Sequence, residues 1–186
     1  MSLIATLLLA AALAAVALIL SPRLAGFRAQ KPQDYAGTGP VMDPRKHLSG
    51  PILCEGVIYG PTGRVTSRFS ATMEGVWQGN RGVLREHFRY DSGTEQLREW
   101  RLSLGNDGTL SAEADDLVGI GRGVASGSAV QMLYKLRLPA AAGGHVLDVT
   151  DWMYLGENGT VMNRSQFSKF GIKVAELIAT MRPMPV

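Results

Sequence analysis

Two neighbouring stretches of the chain put charge where an apolar side chain is expected. In Val83–Asp91, Leu84, Phe88 and Tyr90 share one face of a period-two run with Glu86, and in Gln96–Leu104, Trp100, Leu102 and Leu104 share theirs with Arg98. A charge on an inward face is costly unless it is paired and hydrogen-bonded. If the Asp91–Glu95 turn pairs Tyr90 with Gln96, Phe88 faces Arg98 and Glu86 faces Trp100. Glu86 and Arg98 are then diagonal neighbours on one face, placed for an inward ion pair. Asp116 continues the parity of Leu110, Ala112 and Ala114; Arg122 continues that of Val118 and Ile120; Asp151 continues that of Leu147 and Val149. Tyr134 falls in the apolar even set of Ala129–Leu138. The pattern predicts a polar cluster of Glu86, Arg98, Asp116, Arg122 and Asp151, with Trp100 and Tyr134 beside it, in an apolar interior. Such groups can fix strand register as buried or rim ion pairs, orient a ligand, or serve as acid and base.

Other chemistries lack their residues. His47, His87 and His145 are far apart, and none has a partner at metal-ligand spacing, so no metal site is expected. Gly119, Gly121 and Gly123 alternate within a strand-like run and lead into no helix, unlike a dinucleotide loop; they mark a flat or crowded strand face. No Gly-x-Ser-x-Gly elbow occurs, and no cofactor is implied. Cys54 is the single cysteine, which excludes an intrachain disulfide and reads as a small core residue. A formal charge of +3, from 19 basic and 16 acidic residues spread along the chain, does not point to nucleic acid.

The elements that must position the cluster are strands. Short alternating runs separated by Asn, Asp and Gly turns fill the chain from Gly50 onward: Ile52–Tyr59, Arg64–Gln78, Val83–Asp91, Gln96–Leu104, Thr109–Asp115, Val118–Val124, Ala129–Leu138, His145–Leu155, Thr160–Phe167 and Ile172–Met181. In Arg64–Gln78 the odd set Val65, Phe69, Ala71, Met73 and Trp77 is the inward face. The last run also reads as helix from Lys173, because of Ala175, Glu176 and Ala179. About ten sequential strands predict an all-β fold, an antiparallel meander closing into a lipocalin-like barrel, since closure removes exposed edges.

Ahead of the barrel, residues 22–49 carry Pro and Gly without sustained period and read as a linker, and residues 1–21 read as a membrane anchor or signal segment. From Leu3 to Leu20 the residues are Leu, Ile, Ala and Val, with Thr6 the exception. As a helix this run spans roughly 27 Å at about 1.5 Å per residue, enough to reach across a bilayer core. Ala25 and Ala29 offer imperfect cleavage positions. Arg23, Arg28 and Lys31 follow the segment, and basic flanks favour the cytoplasmic side.

The strand end Gly75-Val76-Trp77, Glu86 to Gly93 (EHFRYDSG), Arg98 with Trp100, Ala114 to Gly119 (ADDLVG), Gly127 with Tyr134, Asp151 to Tyr154 (DWMY), and Asn163-Arg164 with Lys169-Phe170-Gly171 together resemble a bacterial family catalogued as domain of unknown function 3833. The resemblance covers nearly the whole β domain, Ile52 to Arg182. It implies an envelope protein whose relatives look like lipoproteins with a lipidated cysteine after the signal. No cysteine follows the apolar segment here, which suggests an uncleaved anchor in the inner membrane with the domain in the periplasm, against the basic flank. The resemblance implies no activity. Three functions fit these readings: a barrel binding a lipid-like or other hydrophobic small molecule; an enzyme acting on a membrane-derived substrate, with Glu86 or Asp151 as acid or base and Arg98 holding an anionic group; and a structural or assembly protein with a packed barrel and an exposed apolar patch. The leading ligand contacts are Glu86, Arg98, Trp100, Asp116, Arg122, Tyr134 and Asp151.

Overall fold

The computed structural model describes residues 2–24 and 26–184, with the side chains at 15 and 17–24 outside the description. Two compact units result, Met1–Asp34 and Tyr35–Val186. In the first, helix α1 runs Leu3–Leu24, and a 3₁₀ turn follows at Phe27–Ala29. Among the described residues no helix is long and apolar enough to cross a membrane. Ala25, one of the candidate cleavage positions, lies outside the described residues.

The second unit is a ten-stranded antiparallel barrel in which each strand pairs with the next and the last closes on the first. The strands are β1 Gly50–Tyr59, β2 Val65–Gln78, β3 Arg81–Tyr90, β4 Glu95–Leu104, β5 Thr109–Glu113, β6 Gly121–Ser126, β7 Ala129–Arg137, β8 Val146–Leu155, β9 Val161–Lys169 and β10 Ile172–Pro183. Period-two burial is clearest in β2, where Phe69, Ala71 and Met73 are buried between exposed neighbours, while Val65 is exposed at the strand's start. The helix-favouring Ala175 and Glu176 lie in a strand, because β10 is hydrogen-bonded on both sides, to β9 and β1. Pairing outweighs local propensity there.

Two details differ from the sequence reading. The β3–β4 hairpin turns tightly: Gly93 takes φ 82°, its N–H donates to Tyr90 O, and Tyr90 N–H donates to Thr94 O. A three-residue connection with glycine in the left-handed region gives this geometry. The register consequently places Glu86 directly opposite Arg98, Leu84 opposite Trp100 and Phe88 opposite Gln96, so the diagonal arrangement is corrected to a direct pair.

The second difference concerns β6, which begins at Gly121 and not at Val118. The preceding residues form a loop tied to β7, with Arg137 N–H donating to Asp116 O and Val118 N–H to Lys135 O. Parity does not carry through that loop. Gly121 and Gly123 face inward, Val118 and Ile120 are exposed, and Arg122 is exposed on the outer surface, so its expected inward position is corrected. The crowding expected of these glycines is present at Gly123, where a Cβ would collide with Met132 Sδ and the Gln131 carbonyl, but not at Gly119, which lies in the loop before β6 at φ 79° with open space around it. Gly123→Ala is expected to destabilise the barrel by about 1–3 kcal/mol, read as a lower urea midpoint at unchanged slope.

One end of the barrel is plugged. The stretch read as linker joins the barrel unit from Tyr35 onward, and within it the short helix α2, Pro44–His47, is capped by the Asp43 carboxylate accepting from Arg45 N–H. Met42 and Leu48 on either side of α2 are buried apolar side chains. Met42 N–H donates to Gly127 O at 2.8 Å, Trp77 Nε1 donates to Leu48 O at 3.0 Å, and Arg45 reaches Asn80. These contacts lay the segment over the end that carries the β2–β3 and β6–β7 turns.

Candidate ligand cavity

Inside the barrel lies a cavity of about 710 Å³, reaching from Leu48 at the plugged end to Pro139 and Ala140 of the β7–β8 loop at the other. Inward positions of the strands line it in three levels. Deepest are Cys54, Met73, Leu84, Leu102 and Met132, all apolar or nearly so. At mid-depth stand Glu86 on β3, Arg98 on β4, Asp116 after β5, Tyr134 on β7 and Asp151 on β8, with Trp100 beside them. Toward the mouth the wall becomes aromatic, with Phe69, Phe88, Tyr90 and Phe167. The Phe69, Phe88 and Tyr90 rings form a group with centroids 5.4–6.1 Å apart.

The mid-level groups hold one another. Arg98 Nε donates to Asp116 Oδ1 at 3.1 Å and lies 3.0 Å from Oδ2. The Arg98 guanidinium sits 4.0 Å above the Trp100 ring, which meets Tyr134 edge-on at 5.3 Å. Asp151 accepts from Asn163 Nδ2, and from Ser165 Oγ at 2.8 Å. The ion pair that Arg98 makes is therefore with Asp116, although Glu86 is its register partner. Glu86 Oε2 and Arg98 Nη2 are both buried without a hydrogen-bond partner.

Burial sets the protonation of this level. It pushes the Glu86 carboxyl up to about 7; the Arg98 charge and a hydrogen bond with Trp100 oppose it, and Asp151 and Asp116 reinforce it. Burial likewise raises Asp151, against hydrogen bonds from Ser165 and Asn163. It raises the Tyr134 hydroxyl, with the Asp151 charge adding to the effect. For Arg98 burial works to lower the pKa, but Tyr134, Glu86 and Asp116 together outweigh it and the net shift is upward. The Cys54 thiol is pushed up to about 12 by burial, with Glu86 and Glu55 adding.

Of the side chains expected to contact a ligand, Glu86, Arg98, Trp100, Asp116, Tyr134 and Asp151 line this one cavity, and Arg122 does not. Arg122→Ala is expected to change stability by no more than about 0.5 kcal/mol and to leave uptake of any guest unaltered, in parallel denaturation and binding assays. Asn163 and Ser165, which orient Asp151, escaped the sequence reading as site residues. Their signal was available, because they share odd parity with Val161 and Phe167 on β9. Among the described residues no group of three or more His, Cys, Asp or Glu is placed to hold a metal ion.

A family model described as Protein of unknown function (DUF3833) matches residues 21–183, and the chain belongs to that family. No curated protein matches it. Among solved structures it is similar to the S-type phycobiliprotein lyase CPES from Guillardia theta, with TM-score 0.56 and 7% identity over 76% of this chain and 90% of that one. It is also similar to Rv2717c from M. tuberculosis, with TM-score 0.54 and 13% identity over 80% of this chain and 99% of that one. At these identities the likeness is one of fold alone.

Proposed function

We propose that this barrel of the DUF3833 family binds a lipid-like or other hydrophobic small molecule in its interior, at an inner membrane to which residues 1–21 attach it, with the barrel on the periplasmic side. The observation that carries the reading is the cavity itself. Its volume of about 710 Å³ falls within the 300–1,000 Å³ or so typical of small-molecule sites, and apolar walls with a few convergent polar groups are their usual make-up. A purely structural role would fill that space with side chains. Membrane attachment is supported by the apolar run from Leu3 to Leu20 in the sequence.

The test is organic extraction and mass spectrometry of the full-length protein purified from bacterial membranes. A stoichiometric hydrophobic molecule, lost from folded Trp100→Ala protein, is the expected result; a folded barrel that is consistently empty overturns the reading. For orientation, a C-terminal alkaline phosphatase fusion is expected to be active in intact cells, and an inactive fusion of normal abundance places the barrel in the cytoplasm.

One observation favours a second reading. Glu86, with its carboxyl near 7 in a cavity open to small molecules, has the protonation behaviour of a general acid or base. An enzyme acting on a membrane-derived substrate would use Glu86 or Asp151 in that role and Arg98 to hold an anionic group. A guest recovered chemically altered from wild type but intact from Glu86→Gln supports this reading, and a guest intact from both removes it.

A further inference from the structure

Glu86 Oε2 and Arg98 Nη2 belong to residues that are opposite each other in register, on the same cavity wall, and both atoms are buried without a partner. Leaving a buried donor or acceptor unsatisfied is expensive, more so when it is charged. Above about pH 7, where Glu86 is ionised, one atom requires an acceptor and the other a donor, and their residues are direct cross-strand partners. The charge around them narrows what can supply both. Three carboxyl groups, Glu86, Asp116 and Asp151, face one guanidinium, Arg98, which Asp116 already engages at 3.0 Å. Arg137, a further cation among the described lining residues, is exposed near the mouth.

A carboxylate guest would satisfy Arg98 but add negative charge to a level already in excess of it. An ammonium guest would satisfy Glu86 but leave Arg98 unsatisfied and bring a second cation beside it. An ester offers no donor. An amide or hydroxyl meets both atoms and changes no charge. We infer that the guest is an amphiphile whose polar end is a neutral group that both donates and accepts a hydrogen bond, held at mid-depth between Glu86 and Arg98. The inference rests on the reading of the barrel as a container for a hydrophobic molecule and adds the chemistry of the guest's head.

The experiment is displacement of the neutral fluorescent probe N-phenyl-1-naphthylamine from the full-length protein at pH 8.5, where Glu86 is ionised, by oleamide, oleyl alcohol, oleate, oleylamine and methyl oleate, which share one chain and differ in the head. Oleamide and oleyl alcohol are expected to compete about tenfold or more tightly than the other three, the size of effect that hydrogen bonds to charged partners produce. In Glu86→Gln, which removes one negative charge, oleate is expected to gain about tenfold while oleamide changes little. Oleate, oleylamine or methyl oleate matching oleamide in wild type overturns the inference and leaves the container reading intact. So does an unchanged oleate affinity in a folded Glu86→Gln protein. Failure of the probe and every amphiphile to bind overturns both.

Discussion

Replacing Arg98 with Met is expected to remove about 3 kcal/mol or more of stability. The side chain is 15% exposed and its partner Asp116 is 27% exposed, so the substitution strands a carboxylate in the barrel interior; losing one member of a buried pair typically costs about 3–5 kcal/mol. It also removes the cation above Trp100 and the charge that holds down the Glu86 carboxyl. Chemical denaturation supplies the measurement, and the double substitution Arg98→Met/Asp116→Asn is the control. If the cost comes from an uncompensated charge, the double variant recovers most of it, with a coupling of about 1–3 kcal/mol. If the cost comes only from lost packing of the arginine stem, the double variant is as unstable as the single one.

The second large effect has the reverse sign. Glu86 has its carboxyl raised from an ordinary 4.5 to about 7 by burial, so between those values the folded barrel holds a proton that the unfolded chain has released. The contribution of Glu86 is therefore fully present below about pH 4.5, falls as pH rises through the window, and is lost, by about 3 kcal/mol, above pH 7. This slope opposes the usual behaviour of paired surface carboxylates, which stabilise as they ionise. Glu86→Gln is expected to be about 3 kcal/mol more stable than wild type at pH 8 and nearly equal to it at pH 4. Urea titrations at several pH values check it. Asp151, raised in the same direction by burial, leaves a residual decline in the variant. Equal pH profiles in the two proteins would show that Glu86 is well solvated.

Most of this barrel can be read in the chain because strands bury one face, and period two reports which one. The site came through an error of register for the same reason. The β3–β4 hairpin was read two residues out of step, and a shift of two keeps every side chain on its own face. Glu86 and Arg98 thus remained inward, although their relation changed from diagonal to direct and the ion pair went to Asp116. Arg122 shows the opposite case. Its parity was carried from Val118 across a loop, where alternation has no meaning, and it emerged on the wrong side. The plug at 42–48 was illegible for a related reason. It buries Met42 and Leu48 through one short helix and a few irregular residues, too little for any period to form. Which of the acidic groups Arg98 selects depends on side-chain geometry within the closed barrel, and no linear pattern encodes it.

Cys54, the single thiol of the chain, gives the molecule a clock. It stands on the cavity wall, 3% exposed, with its proton held until about pH 12. A thiol so protonated is inert to alkylating reagents while the wall around it is closed, because the thiolate is the reacting species. Modification at neutral pH therefore times the moments when water and reagent together reach this wall, and a guest that fills the cavity will slow that clock in proportion to how tightly it is held.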